Sequence, residues 1–320
     1  MKKIGVLTSG GDAPGMNAAV RAVVRTALAN GIEVYGITEG YYGLYHDQIK
    51  LLTRDDVMGK IGIGGTFLGS ARFPEFKDEE IRKEAIKNLD KHSIEGLIVI
   101  GGDGSYMGAV KLSEMGYPCI GVPGTIDNDA PQTQFTIGFD TALNTIVEAV
   151  DKLKDTSNSH KRCSVVEVMG RDAGDLALYA GIATGADFTV IPEIEYSIEQ
   201  IIEQIKLAQN NGKKSFVVVV AEGAKIVDEL VNRIELETGV ETRASILGHI
   251  QRGGTATGID RVLASRVASY ATELLIDGFS GRCVGIINNH LVNNDILKAI
   301  KIKHEIDEDL YRLANKLLNK

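Results

Sequence analysis

Five glycine-rich loops in this 320-residue chain carry carboxylates, hydroxyls or guanidinium groups. Ser9-Gly10-Gly11-Asp12 and Gly101-Gly102-Asp103-Gly104-Ser105 each follow an apolar run and lead into a helical pattern. Backbone N–H groups at such turns cradle phosphate oxygens, and the helix dipole adds to the attraction. The familiar nucleotide signatures are absent. There is no GxxxxGK[ST], and Gly102, Gly104 and Gly108 leave one residue too many in the last gap of a dinucleotide fingerprint. Asp103, lodged between glycines, would repel phosphate unless a cation intervened, so it reads as a magnesium ligand; a helix cap is the plainer alternative. Downstream, the segment from Pro123 to Asp129 places Thr125, Asp127, Asn128 and Asp129 within five residues. If extended, it projects Thr125, Asp127 and Asp129 to one side. Phosphoryl transfer needs this equipment: a carboxylate to take the proton of an attacking hydroxyl, and a metal to spread charge. Turn capping is the competing reading of the same residues.

The cations are placed for anion binding. Arg72, Arg162, Arg171, Arg243, His249 and Arg252 fall beside strand-like runs or in glycine loops, where helix faces would be ordinary. Met169-Gly170-Arg171-Asp172-Ala173-Gly174 and Gly248-His249-Ile250-Gln251-Arg252-Gly253-Gly254 both join glycine for access with guanidinium for a bidentate grip. Convergence of five arginines implies two anionic groups. A lone His249 is more often a core or surface residue than a ligand.

Alternating strand and helix patterns must position these loops, the signature of parallel sheets wound with helices. Strands are predicted at residues 4–8, 33–38, 97–100, 118–122, 163–168, 188–191, 216–220, 243–247 and 283–288. Helices are predicted at 16–29, from 78, from after Ser105 to about 115, at 175–183, 198–208, 224–237 and 258–276, and from about 305. Thr53 with Asp56 reads as the cap of a short helix. A helix from about 139 carries Leu143, Ile146, Val147, Val150 and Leu153 at helical spacing and dissolves in the polar run 156–161. A domain change is expected near residue 138.

Composition narrows the partners. Thirty-five basic against 43 acidic residues give a net charge of −8, so no global field draws the chain to nucleic acid or anionic lipid. The longest apolar run, 216–221, is far short of the roughly 20 residues a membrane helix requires. The apolar stretch at the N-terminus is too short for a signal peptide, and a cytoplasmic location is expected. Cys119, Cys163 and Cys283 lie far apart without metal spacing and read as reduced thiols.

Taken together, the five loops and the Thr125-Ile126-Asp127-Asn128-Asp129 segment resemble the bacterial ATP-dependent phosphofructokinases, in motif order and over essentially the whole chain. The resemblance implies two α/β domains, each a mainly parallel sheet flanked by helices. An ATP-binding domain would comprise 1–138 plus 251–301, and a sugar-phosphate-binding domain 139–250 plus 302–320. The implied reaction is ATP-dependent phosphorylation of the 1-hydroxyl of fructose 6-phosphate at the committed step of glycolysis. Asp127 would be the base, Thr125 a sugar contact, and Asp103 the Mg2+ ligand. Gly11, Arg72, Phe73, Gly102, Asp103, Gly104 and Ser105 would surround ATP. Met169, Gly170, Arg171, Glu222, His249 and Arg252 would bind the sugar phosphate. Arg162 and Arg243 would reach in from a neighbouring subunit of a homotetramer. Arg171 and the Gly11 N–H would also steady the moving phosphoryl group.

An effector site for ADP and phosphoenolpyruvate is implied at Arg21, Arg25, Arg54, Lys154, Gly185, Asp187, Asn211, Lys213 and Lys214; the same charges also read as solvated surface. Lys154 and Asn211 stand where many relatives carry Arg, and Asp187 where many carry Glu, which implies control that is present but altered. Relatives that use pyrophosphate typically have Asp and Lys at positions 104 and 124, whereas both are glycine here. The rival readings are a pyrophosphate-dependent enzyme, a dehydrogenase using the Gly102 loop, and a nucleotide sensor without catalysis.

Overall fold

The computed structural model describes residues 1–317. The chain divides into two compact units, 1–141 with 252–303, and 142–251 with 304–320.

The first unit opens with β1 (Lys3–Thr8), α1 (Met16–Ala29), β2 (Glu33–Ile37), α2 (Gly40–Tyr45) and β3 (Ile49–Leu52). It continues through α3 (Glu79–Lys91), β4 (Leu97–Gly101), α4 (Asp103–Glu114), β5 (Cys119–Thr125) and the short β6 (Ile137–Gly138) into α5 (Phe139–His160). The chain then builds the second unit: β7 (Cys163–Val168), α6 (Asp175–Thr184), β8 (Phe188–Val190), α7 (Ile198–Asn210), β9 (Phe216–Ala221), α8 (Val227–Thr238) and β10 (Thr242–Ile246). It returns to the first through α9 (Gly258–Ile276), β11 (Arg282–Ile287), β12 (His290–Asp295) and α10 (Ile296–Ala299), and α11 (Glu308–Leu317) ends the described chain in the second unit.

The first sheet runs β12-β11-β5-β4-β1-β2-β3, with β6 beside β5. Its centre is parallel, and only β3 and β12 run antiparallel, one at each edge. Strand alternation splits the core between two faces. Leu97 and Val99 join Leu7, Leu44, Ala85 and Leu89 on one side, while Ile98 and Ile100 are buried on the other. α1 packs along α9, with Thr26 and Ser269 hydroxyls hydrogen-bonded at 2.9 Å. In the second unit all four strands are parallel, in the order β10-β7-β9-β8. Cys163, Val165, Phe216, Val218 and Val220 face α7 and α8 through Ile202, Ile205, Leu230 and Ile234. Asp175 Oδ2 and His304 Nε2 are hydrogen-bonded at 2.6 Å, fastening the returning C-terminal segment to α6.

Several expected boundaries shift. The Thr53–Asp56 capping bonds form, with the Thr53 N–H and hydroxyl donating to Asp56 Oδ2 at 2.8 and 2.7 Å, but the backbone makes only turns there. α5 does not dissolve at 156; it runs to His160, because Ser157 takes a core position and hydrogen-bonds Ser164 of β7. β5 extends through Pro123 and Gly124 to Thr125, and the C-terminal helix starts at Glu308. Arg82, within the acidic α3, is buried and donates to the carbonyls of Phe76 and Lys77, while Ile81 and Ile86 are only half-buried.

All three cysteines are buried and free. Burial pushes the Cys119 and Cys163 thiols up to about 12 and Cys283 to about 11. They should therefore resist alkylation at pH 8 and react fully once unfolded. Above about pH 9 the unfolded thiols lose protons that the folded ones keep, so the unfolded state binds fewer protons and stability falls with rising pH. Urea midpoints that stay flat between pH 8 and 10.5 would contradict this burial.

Among the described residues, no helix is long and apolar enough to cross a membrane.

Candidate active site

Ligands of open parallel sheets bind beyond the carboxyl ends of the strands. In the first unit β5, β4 and β1 are neighbours, and their carboxyl ends deliver the Thr125–Asp129, Gly101–Ser105 and Ser9–Asp12 segments to one edge. Register makes the proximity explicit: Gly101 lies opposite Pro123, and Ser9 N donates to Ile100 O at 2.9 Å. A Cβ at Gly102 would lie 3.8 Å from Thr125 Cβ. Asp103 and Asp127 thus emerge from adjacent strands at the same edge.

The Thr125–Asp129 segment is not extended as expected. β5 ends at Thr125, residues 126 and 127 bend, and Asn128 takes a left-handed conformation with φ 57°. Asp127 N donates to Thr125 Oγ1 at 3.1 Å, a hydroxyl-closed turn. Asp127 is 1% exposed, whereas Asp103 is exposed. Asp103 is the first residue of α4, and the cap position belongs to Gly102, so capping does not account for its carboxylate. Carboxylate oxygens at one edge are hard donors of the kind a small divalent cation takes, and Asp103 fits that role.

The Gly10–Asp12 loop is tied from two sides. Thr8 Oγ1 donates to Gly69 O at 2.8 Å and Ser70 Oγ donates to Gly10 O, holding the loop that leads to Arg72 and Phe73. Asn17, buried in α1, accepts from Phe67 N at 2.8 Å and donates to Ile63 O at 2.9 Å. Phe73 meets Tyr42 edge-on with ring centroids 5.6 Å apart, leaving an aromatic patch beside the exposed Arg72. Arg252, expected among the sugar-phosphate ligands, rests on this loop: its Nη1 donates to Asp12 O at 3.4 Å. A Cβ at Gly11 would come within 1.9 Å of that nitrogen, so only glycine leaves room for the guanidinium.

In the second unit Met169, Gly170 and Arg171 follow β7. Gly170 has φ 138° and Arg171 φ 54°, a tight turn that Glu222 secures: its Oε1 accepts from Gly170 N at 3.2 Å and Arg171 N at 2.8 Å. Glu222 therefore shapes the Arg171 loop, a role its position after β9 did not suggest. Losing a charged acceptor of two N–H groups costs about 1.5–3 kcal/mol. Glu222→Ala should accordingly raise the KM for the sugar phosphate that the resemblance implies at least about tenfold, with Glu222→Gln milder; initial rates at varied sugar phosphate check it. Gln251 is a second residue that sequence reasoning missed. Fully buried, it accepts from Met169 N at 3.1 Å and donates to Gly248 O at 2.8 Å, joining the Met169 loop to the turn that carries the exposed His249. Its only signal was membership of the Gly248–Gly254 motif.

Arg162 and Arg243 do not join Arg171. They precede or open β7 and β10 and share Glu241, Arg162 Nε to Oε2 at 2.8 Å and Arg243 Nη2 to Oε1 at 2.7 Å. The six residues of β7 separate them from Met169, a span of roughly 20 Å at the rise of a strand. Five arginines converging within one chain is thus ruled out.

The residues expected to bind an effector fall in both units. Arg21 and Arg25 lie on α1, and Arg54 is in the turn after β3. In the second unit, Asp187 pairs with Lys213 and accepts from Val217 N at 2.9 Å, and Lys154 donates to Thr184 O next to Gly185. Asn211 caps α7, and Lys214 is exposed.

A glycine-lined strand edge that carries a buried carboxylate beside an exposed one is the arrangement of an α/β enzyme acting on phosphorylated ligands. Comparison with known proteins gives the particular family. The sequence model of phosphofructokinase matches residues 3–275. The chain is 60% identical over 315 residues to the ATP-dependent 6-phosphofructokinase of Tolumonas auensis, covering 98% of each chain. It is 59% identical over 318 residues to that of Photobacterium profundum, covering 99% of each. Among solved structures, phosphofructokinase from Saccharomyces cerevisiae superimposes with a TM-score of 0.89 at 35% identity; the match covers 99% of this chain, which spans about half of that longer polypeptide (47%). The chain belongs to the phosphofructokinase family.

Proposed function

We infer that this chain transfers the γ-phosphoryl group of ATP to the 1-hydroxyl of fructose 6-phosphate, giving fructose 1,6-bisphosphate and ADP at the committed step of glycolysis. The observation that carries the reading is the delivery of Asp103, Asp127 and the Gly11 loop to one strand edge in a chain about 60% identical to ATP-dependent 6-phosphofructokinases. Asp127 accepts the hydroxyl proton as the sugar oxygen bonds to phosphorus and the bond to the ADP oxygen breaks. Thr125 orients the sugar. The Gly11 N–H and Arg171 offset charge on the moving phosphoryl group. Gly102, Gly104 and Ser105 cradle the phosphates of ATP, with Arg72 and Phe73 alongside. Asp103 holds Mg2+, which when bound spreads the charge of the phosphates.

Met169, Gly170, Glu222, His249 and Arg252 hold fructose 6-phosphate. Arg162 and Arg243 sit at the wrong end of their strands to serve their own chain's Arg171 loop, which favours donation to a neighbouring subunit of a homotetramer. An effector site for ADP and phosphoenolpyruvate rests on the family likeness, with a weaker grip where Lys154 and Asn211 replace guanidinium. The reading places the protein in the cytoplasm. Coupled measurement of ADP release with fructose 6-phosphate and Mg-ATP tests it, with pyrophosphate as the alternative donor. Absence of sugar-dependent ADP release would overturn it.

A further inference from the structure

Thr136 lies eleven residues beyond Thr125 in a segment to which no role has yet been given. It is fully buried, and both of its hydrogen-bond donors are spent on the turn that carries Asp127. Its hydroxyl donates to Thr125 O at 2.6 Å, and its N–H donates to Asn128 Oδ1 at 3.0 Å. Asn128 Nδ2 in turn donates to Gln134 O at 3.2 Å, so the residues before and after Asp127 are both bound to the same short stretch. That stretch is itself anchored. Ile137 and Gly138 pair with Gly124 and Thr125, and Gly138 N and Thr141 N donate to the two carboxylate oxygens of Asp260 at 2.9 and 2.8 Å. Asp260 is buried beneath the start of α9. The left-handed turn at Asn128 is thus closed against the stretch that leads into β6 by hydrogen bonds rather than by packing alone.

We propose that Thr136 is a positioning residue for phosphoryl transfer, fixing the Thr125 carbonyl and the Asn128 side chain so that Asp127 is held in register with the sugar hydroxyl. This rests on the function inferred above. Displacement of a reacting group by about 1 Å can cost on the order of 100-fold in rate. A turn that has lost one of these ties should therefore lose rate before it loses nucleotide binding.

Thr136→Val keeps the volume and removes the hydroxyl. Assayed well below its melting temperature, it should lose at least about tenfold in kcat while the KM for Mg-ATP stays within about twofold, and Thr136→Ser should restore most of the rate. A lowered melting temperature with undiminished kcat would mean a purely structural role and would overturn the proposal. Should Thr136→Val fail to fold, Asn128→Gly cuts the other tie by removing the Oδ1 that accepts from Thr136 N, since glycine accepts the left-handed backbone and lacks that side chain. Full kcat in that variant would overturn the proposal equally. Failure of the inferred function would show instead as a wild-type chain without sugar-dependent turnover.

Discussion

Replacing Asp127 by serine is expected to lower kcat by at least about 100-fold, the lower range for loss of a general base, while the affinity for fructose 6-phosphate changes little. A carboxylate is a weak base at neutral pH, so its contribution lies in taking the proton as the new O–P bond forms and in aiming the hydroxyl. Both are services to the transition state, and their loss appears in kcat. The structure sharpens this expectation. Asp127 is 1% exposed and sits in a turn closed by its own N–H on Thr125 Oγ1, so water has little access to replace it as proton acceptor. Serine would fit the turn without strain, which keeps the variant folded. Steady-state kinetics with both substrates varied checks the split; turnover within a few-fold of the parent would remove Asp127 from the chemistry.

Gly104→Asp should raise the KM for ATP at least about tenfold and leave the fold intact. A Cβ at Gly104 meets no atom within 4 Å, and the residue lies in the first turn of α4, where an acidic side chain is favourable. The new carboxylate would compete with a phosphate of ATP for the same space. Two like charges about 4 Å apart cost between about 1 and 4 kcal/mol, depending on how well water screens them, which brackets a tenfold change. Circular dichroism separates folding from binding, and titration with ATP and with pyrophosphate shows whether the charge discriminates between donors. Unchanged ATP saturation would place the triphosphate elsewhere than along this loop.

Most of the fold was legible because its elements are marked by local chemistry. The run from Phe216 to Ala221 is a strand buried on both faces, and α9 has its expected bounds because Thr257 caps it, accepting from Asp260 N. What escaped was decided by contacts remote in sequence. The polar tail of α5 reads as a loop until Ser157 finds Ser164 on β7. Edge strands β3 and β12 are partly exposed, and polar residues break up their apolar ones. Pro123 and Gly124 look like strand breakers, yet β5 passes through both with β4 on one side and β6 on the other.

The site divides in the same way. Its glycine loops and acidic residues announce themselves by type and spacing, whereas the groups that shape it do not. Glu222 serves Gly170 and Arg171 from 52 and 51 residues away, Gln251 serves Met169 from 82, and the Thr136 hydroxyl reaches back 11 to Thr125. No periodicity links such pairs. Conversely, guanidinium groups that share a loop-like sequence context, such as Arg162 and Arg171, lie the length of one strand apart.

The first unit is interrupted in sequence by the second, and its central β5 receives its parallel neighbour β11 only from residues 282–287. A ribosome must therefore release the whole inserted unit and the chain through β11 before that sheet can close, and until then the flank of β5 and the apolar side of α1 awaiting α9 stand open in the nascent chain. The inserted unit's four strands are complete some forty residues earlier, which gives it the first opportunity to fold during synthesis. Fragments ending near residue 250 should accordingly be sticky, holdase-dependent species, and chaperone demand should fall sharply once β11 has emerged.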